Sequence, residues 1–324
     1  MRISFVSFVP LWLLFLTCLA YCVYSRAMSE PTSTAPRVSV IVATYNRADI
    51  LAENIESVLN QEFDAYEAIY VNDGSTDTTS EVLSEWAGRS AIPFQIVRTE
   101  NVGPGPARNA GVAVASGEYV LFLDDDATVP TDWIRTMVER CEAHDCDVLC
   151  GGIGPYSIEE PVAHYLHLRM QRTLGPNTKP LTAAPTGNLL IRRDSFNNVG
   201  GFSEERLPAA EDWELSYRLR QAGAQIMYDP AVSIVHRYQT ELAPALQRIR
   251  TTGAVGVYLA ERMHRSPLLY TLFAVGRFKL SLLWIPMHYP LSLCPMAWRM
   301  EWEFMVARVR AWFRLVSGKP VLPN

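Results

Sequence analysis

The chain has 324 residues, 49% hydrophobic and 19% charged, with a formal net charge of -5. That composition excludes a disordered protein and leaves room for one large domain with additions or for two small ones. The charge is uneven: from Pro244 to the end eleven Lys/Arg stand against three Asp/Glu, and the remainder holds 18 basic and 31 acidic residues. A basic tail rich in Trp, Leu and Phe but without runs of Lys/Arg suits an anionic membrane surface better than nucleic acid.

Ile3 to Tyr24 contains no charged residue. A helix of that length, at about 1.5 Å per residue, spans a bilayer. A cleaved signal peptide competes, but the apolar run is long for one and the small-residue site around Ser25 to Ala27 is poor. An anchor over residues 1–26 with a linker at 27–36 is expected. Its orientation is open, because Arg2 and the amino terminus balance Arg26 and Arg37.

From Arg37 strand and helix alternate. VSVIVA (38–43), AIYV (68–71), FQIVR (94–98) and YVLFL (119–123) read as strands. Helical patterns fall at about 49–60, 78–87 and 106–115. Continuous apolar strands between helices predict an α/β fold with an open, mostly parallel twisted sheet covered on both faces. Such sheets bind ligands beyond the carboxyl ends of their strands. Three polar clusters lie at those ends: TYNR (44–47), NDGSTD (72–77) and DDD (124–126). The sequence argues against a dinucleotide site, since no G-x-G-x-x-G follows the first strand.

In DDD, alternation sends Asp124 and Asp126 to one side and Asp125 to the other. Two carboxylates on one side suit Mg²⁺ or Mn²⁺, which would hold a diphosphate and neutralise its charge as it leaves. A solvated turn that caps the next helix is the plainer alternative. DVLCGG, after Cys141, His144 and Cys146, reads as a buried strand with reduced thiols, because the spacing fits no common zinc motif. GNLLIRR (187–193) reads as a strand, and GGF (200–202) allows a tight turn. Glu211 and Asp212 open a helix that Gly223 ends; there they are either site acids or an ordinary first-turn pair. His236 follows an apolar strand and is equally a structural residue or a ligand.

Residues 241–324 read as a helical, basic region at the membrane. Within it, Leu280 to Trp298 is strongly apolar but holds three prolines. It suits a re-entrant segment, a second span or a core-packing appendage. Trp302, Met305, Val309, Trp312 and Val316 recur at helical spacing among Arg308, Arg310 and Arg314. That pattern suits either an interfacial helix or a surface helix on the main body.

VSVIVATYNR, VNDGSTDTT, NVGPGPARNAG, GEYVLFLDDD, GNLLIRRDSFNNVGGF and AAEDWELSYRLRQAG stand in one order over about residues 37–240. In this the chain resembles the family 2 glycosyltransferases. The resemblance implies a GT-A fold catalytic domain at 37–240, with a nucleotide-binding half at 37–127 and an acceptor-side half at 128–240. It implies an inverting transferase that uses a nucleotide-diphosphate sugar, UDP-type favoured, and Mn²⁺ or Mg²⁺. Thr44, Tyr45 and Arg47 then match the loop at the nucleotide base, Asp73 a carboxylate at the base edge, and Arg108 a basic residue near the nucleotide. Asp124 and Asp126 match the DXD pair, Asp124 nearer the ribose and Asp126 on the metal. His236 matches a residue by the metal or diphosphate, and Asp212 the catalytic base. Where relatives often carry a further acid the chain has Ala127.

A glycan or lipid-linked acceptor follows from the apolar ends of the chain. So does a membrane location, the inner membrane with a cytoplasmic catalytic body if the source is bacterial. A sugar nucleotidyltransferase and a non-catalytic sugar-nucleotide or glycan binding module are the competing functions.

Overall fold

The computed structural model describes residues 35–288 and 291–322. The expected anchor at 1–26 and nearly all of the linker lie outside the described residues. Pro36–Asn324 forms one compact unit.

The first half follows the alternation: β1 (Val38–Thr44), α1 (Leu51–Leu59), β2 (Tyr66–Asn72), α2 (Thr79–Arg89), β3 (Phe94–Arg98), α3 (Pro104–Val114) and β4 (Tyr119–Asp124). β1, β2 and β4 are almost wholly buried, as continuous Val/Ile/Leu runs require. They pair in parallel in the order β3-β2-β1-β4. β1 starts a run to β2 and β3 on one side and meets β4 on the other. The strand order therefore reverses beside the carboxyl ends of β1 and β4, where Ala43 pairs with Asp124. Close packing of α3 on this sheet depends on Gly111, where a Cβ would come within 2.8 Å of Ile41 and 2.9 Å of Val71.

The second half comprises β5 (Ala127–Thr128), α4 (Trp133–Ala143), β6 (Val148–Pro155), α5 (Pro161–Leu174), β7 (Lys179–Pro180), β8 (Asn188–Arg192), α6 (Arg193–Asn198), α7 (Glu211–Gln221) and β9 (Ile226–His236). The sheet continues β4-β8-β6-β9-β5, and β7 joins β9. Here β4–β8, β6–β8, β5–β9 and β7–β9 are antiparallel, and only β6–β9 is parallel. The sheet is therefore mixed, and the expectation of a mostly parallel one holds for the first half alone. The regular strand–helix alternation that enforces parallel crossovers ends at β4.

A buried amide locks this half together. Asn188 donates to the carbonyls of Gly152 and Val232, both at 3.0 Å, and accepts from the Trp133 indole at 2.9 Å. Residue 151 must be glycine for this, because a Cβ there would lie 2.1 Å from the Asn188 amide nitrogen.

α8 (Leu242–Arg262), α9 (Pro267–His288) and α10 (Cys294–Val316) complete the unit. Among the described residues no helix is long and apolar enough to cross a membrane, so the reading of 280–298 as a second span is overturned. That stretch is divided between α9 and α10, with a short 3-10 turn at Leu291–Leu293. Ile285, Leu293, Ala297, Met300 and Phe304 pack with Leu246 and Ile249 of α8 and with Val162 and Tyr165 of α5. On α10 the buried face runs through Ala297, Met300, Phe304, Arg308 and Ala311; of the expected stripe Met305 is buried too and Val309 and Trp312 are half-buried, while Trp302 and Val316 are exposed. The helix therefore packs through a stripe one step away from the one its apolar spacing suggested. Arg308 is not free to meet a membrane: it lies under the Tyr270 ring, 3.9 Å from its centroid, and donates to the Tyr270 hydroxyl at 2.8 Å.

Candidate active site

Three loops meet at the reversal point. In the β1–α1 loop Asn46 takes a left-handed backbone, φ 53°, and its side chain accepts from Thr76 N at 2.8 Å. Arg47 N donates to Thr79 Oγ1 and Ala48 N to Asp77. TYNR is thus stitched to NDGSTD, leaving Thr44 buried and Tyr45 exposed at the rim. Arg47 reaches the acidic turn, 3.6 Å from Asp125 Oδ1 and 3.6 Å from Asp126 Oδ2.

Asp73 is buried. Its Oδ1 accepts from Thr99 Oγ1 at 2.7 Å and from Val102 N at 2.8 Å, and its Oδ2 accepts from Gly103 N at 2.9 Å. It fastens the glycine-rich loop that starts α3, with Gly103 at φ 98°.

β4 ends at Asp124, and the chain turns through Asp125 and Asp126 into β5. Pairing of Ala127 with His236 across β5 and β9 carries the imidazole to this turn. His236 Nε2 lies 3.1 Å from Asp126 Oδ1 and 3.8 Å from Asp124 Oδ2. One ligand atom from each of Asp124, Asp126 and His236 fits within a 4.8 Å group. Asp126 Oδ1 and His236 Nδ1 are buried without a well-formed hydrogen bond among the described residues. With Asp126 Oδ1 unsatisfied and Asp124 Oδ2 and His236 Nε2 beside it, two carboxylates and an imidazole fit a Mn²⁺ or Mg²⁺ ion.

Burial disfavours the charged form of both partners. It is outweighed at Asp126 by His236 and Arg47, which hold the carboxyl below its usual range. It is outweighed at His236 by Asp126 and Asp124, which raise the imidazole. Asp125, on the other side of the turn, is pushed up to about 7 by burial and by Asp126. Ala127 is buried and its carbonyl accepts from Asn54, so a longer acid there would point into protein.

Arg108 of α3 joins the turn to α7. Its guanidinium donates to Asp124 Oδ1 at 3.0 Å and to Glu211 Oε1 at 2.8 Å. α7 begins after Ala210 in a left-handed conformation, φ 62°. Asp212 follows in the first turn and accepts from Trp213 N at 2.9 Å. Asp212 keeps some solvent access yet is densely surrounded by protein. That burial, with Glu211 beside it, pushes its carboxyl up to about 7, while Arg108 pulls the other way. Asp212 is thus within electrostatic reach of Asp124.

A profile of glycosyl transferase family 2 matches residues 39–200, half of the chain. The chain belongs to glycosyltransferase family 2. The Mycobacterium tuberculosis pre-mycofactocin glycosyltransferase is 27% identical over 258 residues, 74% of this chain and 52% of that protein. The chain thus spans about half the length of that relative. Among solved structures, the Pyrobaculum calidifontis mannosyltransferase PcManGT in complex with GDP-Man and Mn²⁺ is similar with a TM-score of 0.61. It is 19% identical over 94% of this chain and 95% of its own. Staphylococcus aureus TarS 1-349 in complex with UDP-GlcNAc has a TM-score of 0.53. It is 18% identical over 87% of this chain and 92% of its own. At these identities the likeness establishes the α/β fold of GT-A-type transferases.

Several residues around these acids in this family 2 chain were not legible from the motifs. Asn54 of α1 donates to the carbonyls of Asp124 and Ala127, at 3.1 and 2.7 Å, and accepts from Tyr70. An asparagine on the apolar face of an amphipathic helix was the available signal. Gly187 is small because a Cβ there would lie 2.7 Å from Asp124 Oδ2. Asn109 of ARNAG holds the GGF turn by accepting from Phe202 N and donating to its carbonyl. In the cysteine cluster the Cys141 and Cys146 sulfurs are 3.5 Å apart, and His144 turns to Asp229 at 3.1 Å.

Proposed function

We propose that the protein transfers a sugar from a nucleoside diphosphate donor, UDP-type favoured, to an acceptor hydroxyl with inversion at the anomeric carbon. One observation carries the reading. Arg108 bonds both Asp124 of the acidic turn and Glu211, the neighbour of Asp212. The acids suited to a donor and the acid suited to a proton therefore belong to a single site. Family membership supports the reaction class, and the nucleotide sugars held by the two structural neighbours support the donor class.

In this reading residues 37–127 hold the nucleotide and 128–240 the acceptor. Tyr45 offers an exposed ring to the base beside Thr44. Asp73 Oδ2 accepts one hydrogen bond in the free protein, which leaves a lone pair for a base N–H. Asp124, Asp126 and His236 would hold Mn²⁺ or Mg²⁺, which would supply positive charge for the leaving diphosphate. Asp212 takes the proton of the acceptor hydroxyl while that oxygen attacks the anomeric carbon from the face opposite the diphosphate.

An acid raised to about 7 suits a general base near neutral pH. General-base help is worth typically 10²–10⁴-fold. Asp212→Asn is therefore expected to lose about that much turnover while keeping donor affinity, measured as nucleoside diphosphate released from a panel of nucleotide sugars with Mn²⁺. Wild-type turnover in the variant overturns the assignment. Pyrophosphate as product marks a nucleotidyltransferase, and tight donor binding without any product marks a binding module.

Membrane association is part of this proposal, with the body on the side of the membrane that holds the donor: the cytoplasmic face of the inner membrane in a bacterium. α9 supports it by exposing Phe273 at 81%, Met287 at 78% and Leu283 at 72%. The uncharged run at 3–24 points the same way.

A further inference from the structure

α7 does not fix the place of its own first turn. Among the described residues it has no side-chain cap, and it starts from Ala210 at φ 62°, a left-handed backbone that a residue with a side chain rarely adopts. Such a conformation persists where its surroundings impose it. Trp213 N and Glu214 N both donate to the Ala210 carbonyl, at 3.1 and 3.3 Å, so the turn that carries Asp212 hangs from this residue. Arg108 holds the turn on one side through Glu211. The other hold is the segment that leads into Ala210.

That segment, residues 203–209, is a strap pinned from two directions. Toward the donor half, Arg206 donates to Asn101 Oδ1 at 2.7 Å and lays its stem over Gly103, where a Cβ would lie 3.0 Å from Arg206 Cγ. Asn109 of α3 donates to Glu204 Oε1 at 2.9 Å. Toward the C-terminal helices, α8 clasps Glu205. Glu205 Oε1 accepts from the Tyr258 hydroxyl at 2.6 Å, its Oε2 accepts from Arg262, and Arg262 also donates to the Tyr258 oxygen at 2.9 Å. Beside this clasp Leu207 and Ala210 are buried with Val255 and Leu259 of α8, and Trp213, the residue after Asp212, packs on the same cluster.

We propose that Glu205, Tyr258 and Arg262 are positioning residues that fix the first turn of α7, and with it Asp212, against α8. This rests on the reading of Asp212 as proton acceptor and deepens it: α8 serves the reaction and is more than a cover for the body. Magnitudes separate the role from ordinary stabilisation. The Glu205 and Arg262 side chains are both more than a third exposed, and pairs so exposed add little to stability. Position is far more sensitive, since a shift of about 1 Å at a catalytic group can cost on the order of 10²-fold in rate.

The test uses the full chain in detergent, with UDP release from a panel of UDP-sugars in Mn²⁺ and hydrogen exchange read by mass spectrometry. Glu205→Ala is expected to lower kcat ten-fold or more and Tyr258→Phe three-fold or more, with donor KM within two-fold and Tm within a few degrees of wild type. Glu205→Gln keeps an acceptor for the Tyr258 hydroxyl and is expected to restore kcat to within three-fold. Glu303→Ala breaks a like pair, with Arg250 of α8, away from the strap and is expected to leave kcat within two-fold. In the Asp212→Asn background Glu205→Ala is expected to have no further effect, within two-fold, because the clasp acts through that acid. Amide exchange over residues 211–215 is expected to quicken ten-fold or more in Glu205→Ala. Unchanged kcat in Glu205→Ala and Tyr258→Phe overturns the proposal, as does an equal loss in Glu303→Ala or a loss that persists in Asp212→Asn. A rise in donor KM alone also overturns it and assigns the strap to the donor. No UDP release by wild type, or wild-type turnover in Asp212→Asn, counts against the proton-acceptor reading instead. The exchange at residues 211–215 then decides the clasp by itself: quickened exchange supports it and unchanged exchange overturns it.

Discussion

At the scale of single residues the site depends on side chains that make room as much as on those that react. Gly187 is the sharpest case. A methyl group there would press on Asp124 Oδ2, which is 2.7 Å from the Cβ position, while Arg108 holds the other oxygen. Gly187→Ala is expected to leave Tm within a few degrees and to weaken Mn²⁺-dependent UDP binding at least ten-fold, about 1.4 kcal/mol, by calorimetry. Asp212 makes a second prediction, about pH. Its folded pKa of about 7 stands above the usual carboxyl value of 3.8. The stability it contributes is therefore fully present below about pH 3.8 and is lost as pH rises through about 7. Asparagine mimics the neutral acid. In metal-free protein, Asp212→Asn is expected to match wild type near pH 4 and to be more stable by about 1 kcal/mol or more at pH 8, measured by urea unfolding. An unchanged difference across that range removes the shifted acid. Asp125 is raised as well, but its effect cancels in the comparison.

At the scale of elements, the end of the sheet opposite the site is held by a buried acid. Glu67 sits inside β2, and its carboxylate accepts from Ser39 Oγ, from Ser116 N and Oγ, and from Gln95 Nε2, at 2.7 to 2.9 Å. Burial opposes its ionisation, but these bonds outweigh it and hold its carboxyl below the usual range. Glu67→Ala strands several donors where β1, β2, β3 and the turn before β4 meet. It is expected to cost about 2–4 kcal/mol in chemical unfolding, and Glu67→Gln less. The apolar runs of β1, β2 and β4 and the polar residues at their ends were readable from the sequence, because buried parallel strands impose a continuous pattern. Glu67 was not, since a lone acid inside YEAIYVN carries no sign of the three segments that satisfy it. The antiparallel return of β8 and β6 was hidden for a like reason. Asn188 fixes it through the carbonyls of residues far along the chain, and no local periodicity encodes that. The approach of His236 to Asp126 came from two residues of β5, too short a strand to see in advance. Arg108 was found by its motif, but its bridge to Glu211 was not, because nothing in the spacing of α3 and α7 states that they touch.

At the scale of the whole molecule, α8, α9 and α10 close one side of the catalytic body and leave α9 with an apolar outer face. Leu269, Leu272, Phe273, Leu280, Leu283 and Met287 are all exposed, a patch that water disfavours and a bilayer interface would cover. A nitroxide on Phe273→Cys, in a full chain with Cys18 and Cys22 replaced by serine, is expected to gain oxygen contact in anionic vesicles. The same label on Gly88→Cys of α2 is expected to remain in water. Equal aqueous signals at both positions exclude the lipid contact. The two halves of the body are also linked through their charges. Because one guanidinium serves Asp124 and Glu211 together, neutralising Asp124 lets that positive charge settle toward α7 and removes a negative field from Asp212. In the proposed reading the proton affinity of Asp212 would then fall, and a cation at Asp124 would favour its ionised form. Such an interlock would spare the activated sugar from stray water until its intended recipient is in place.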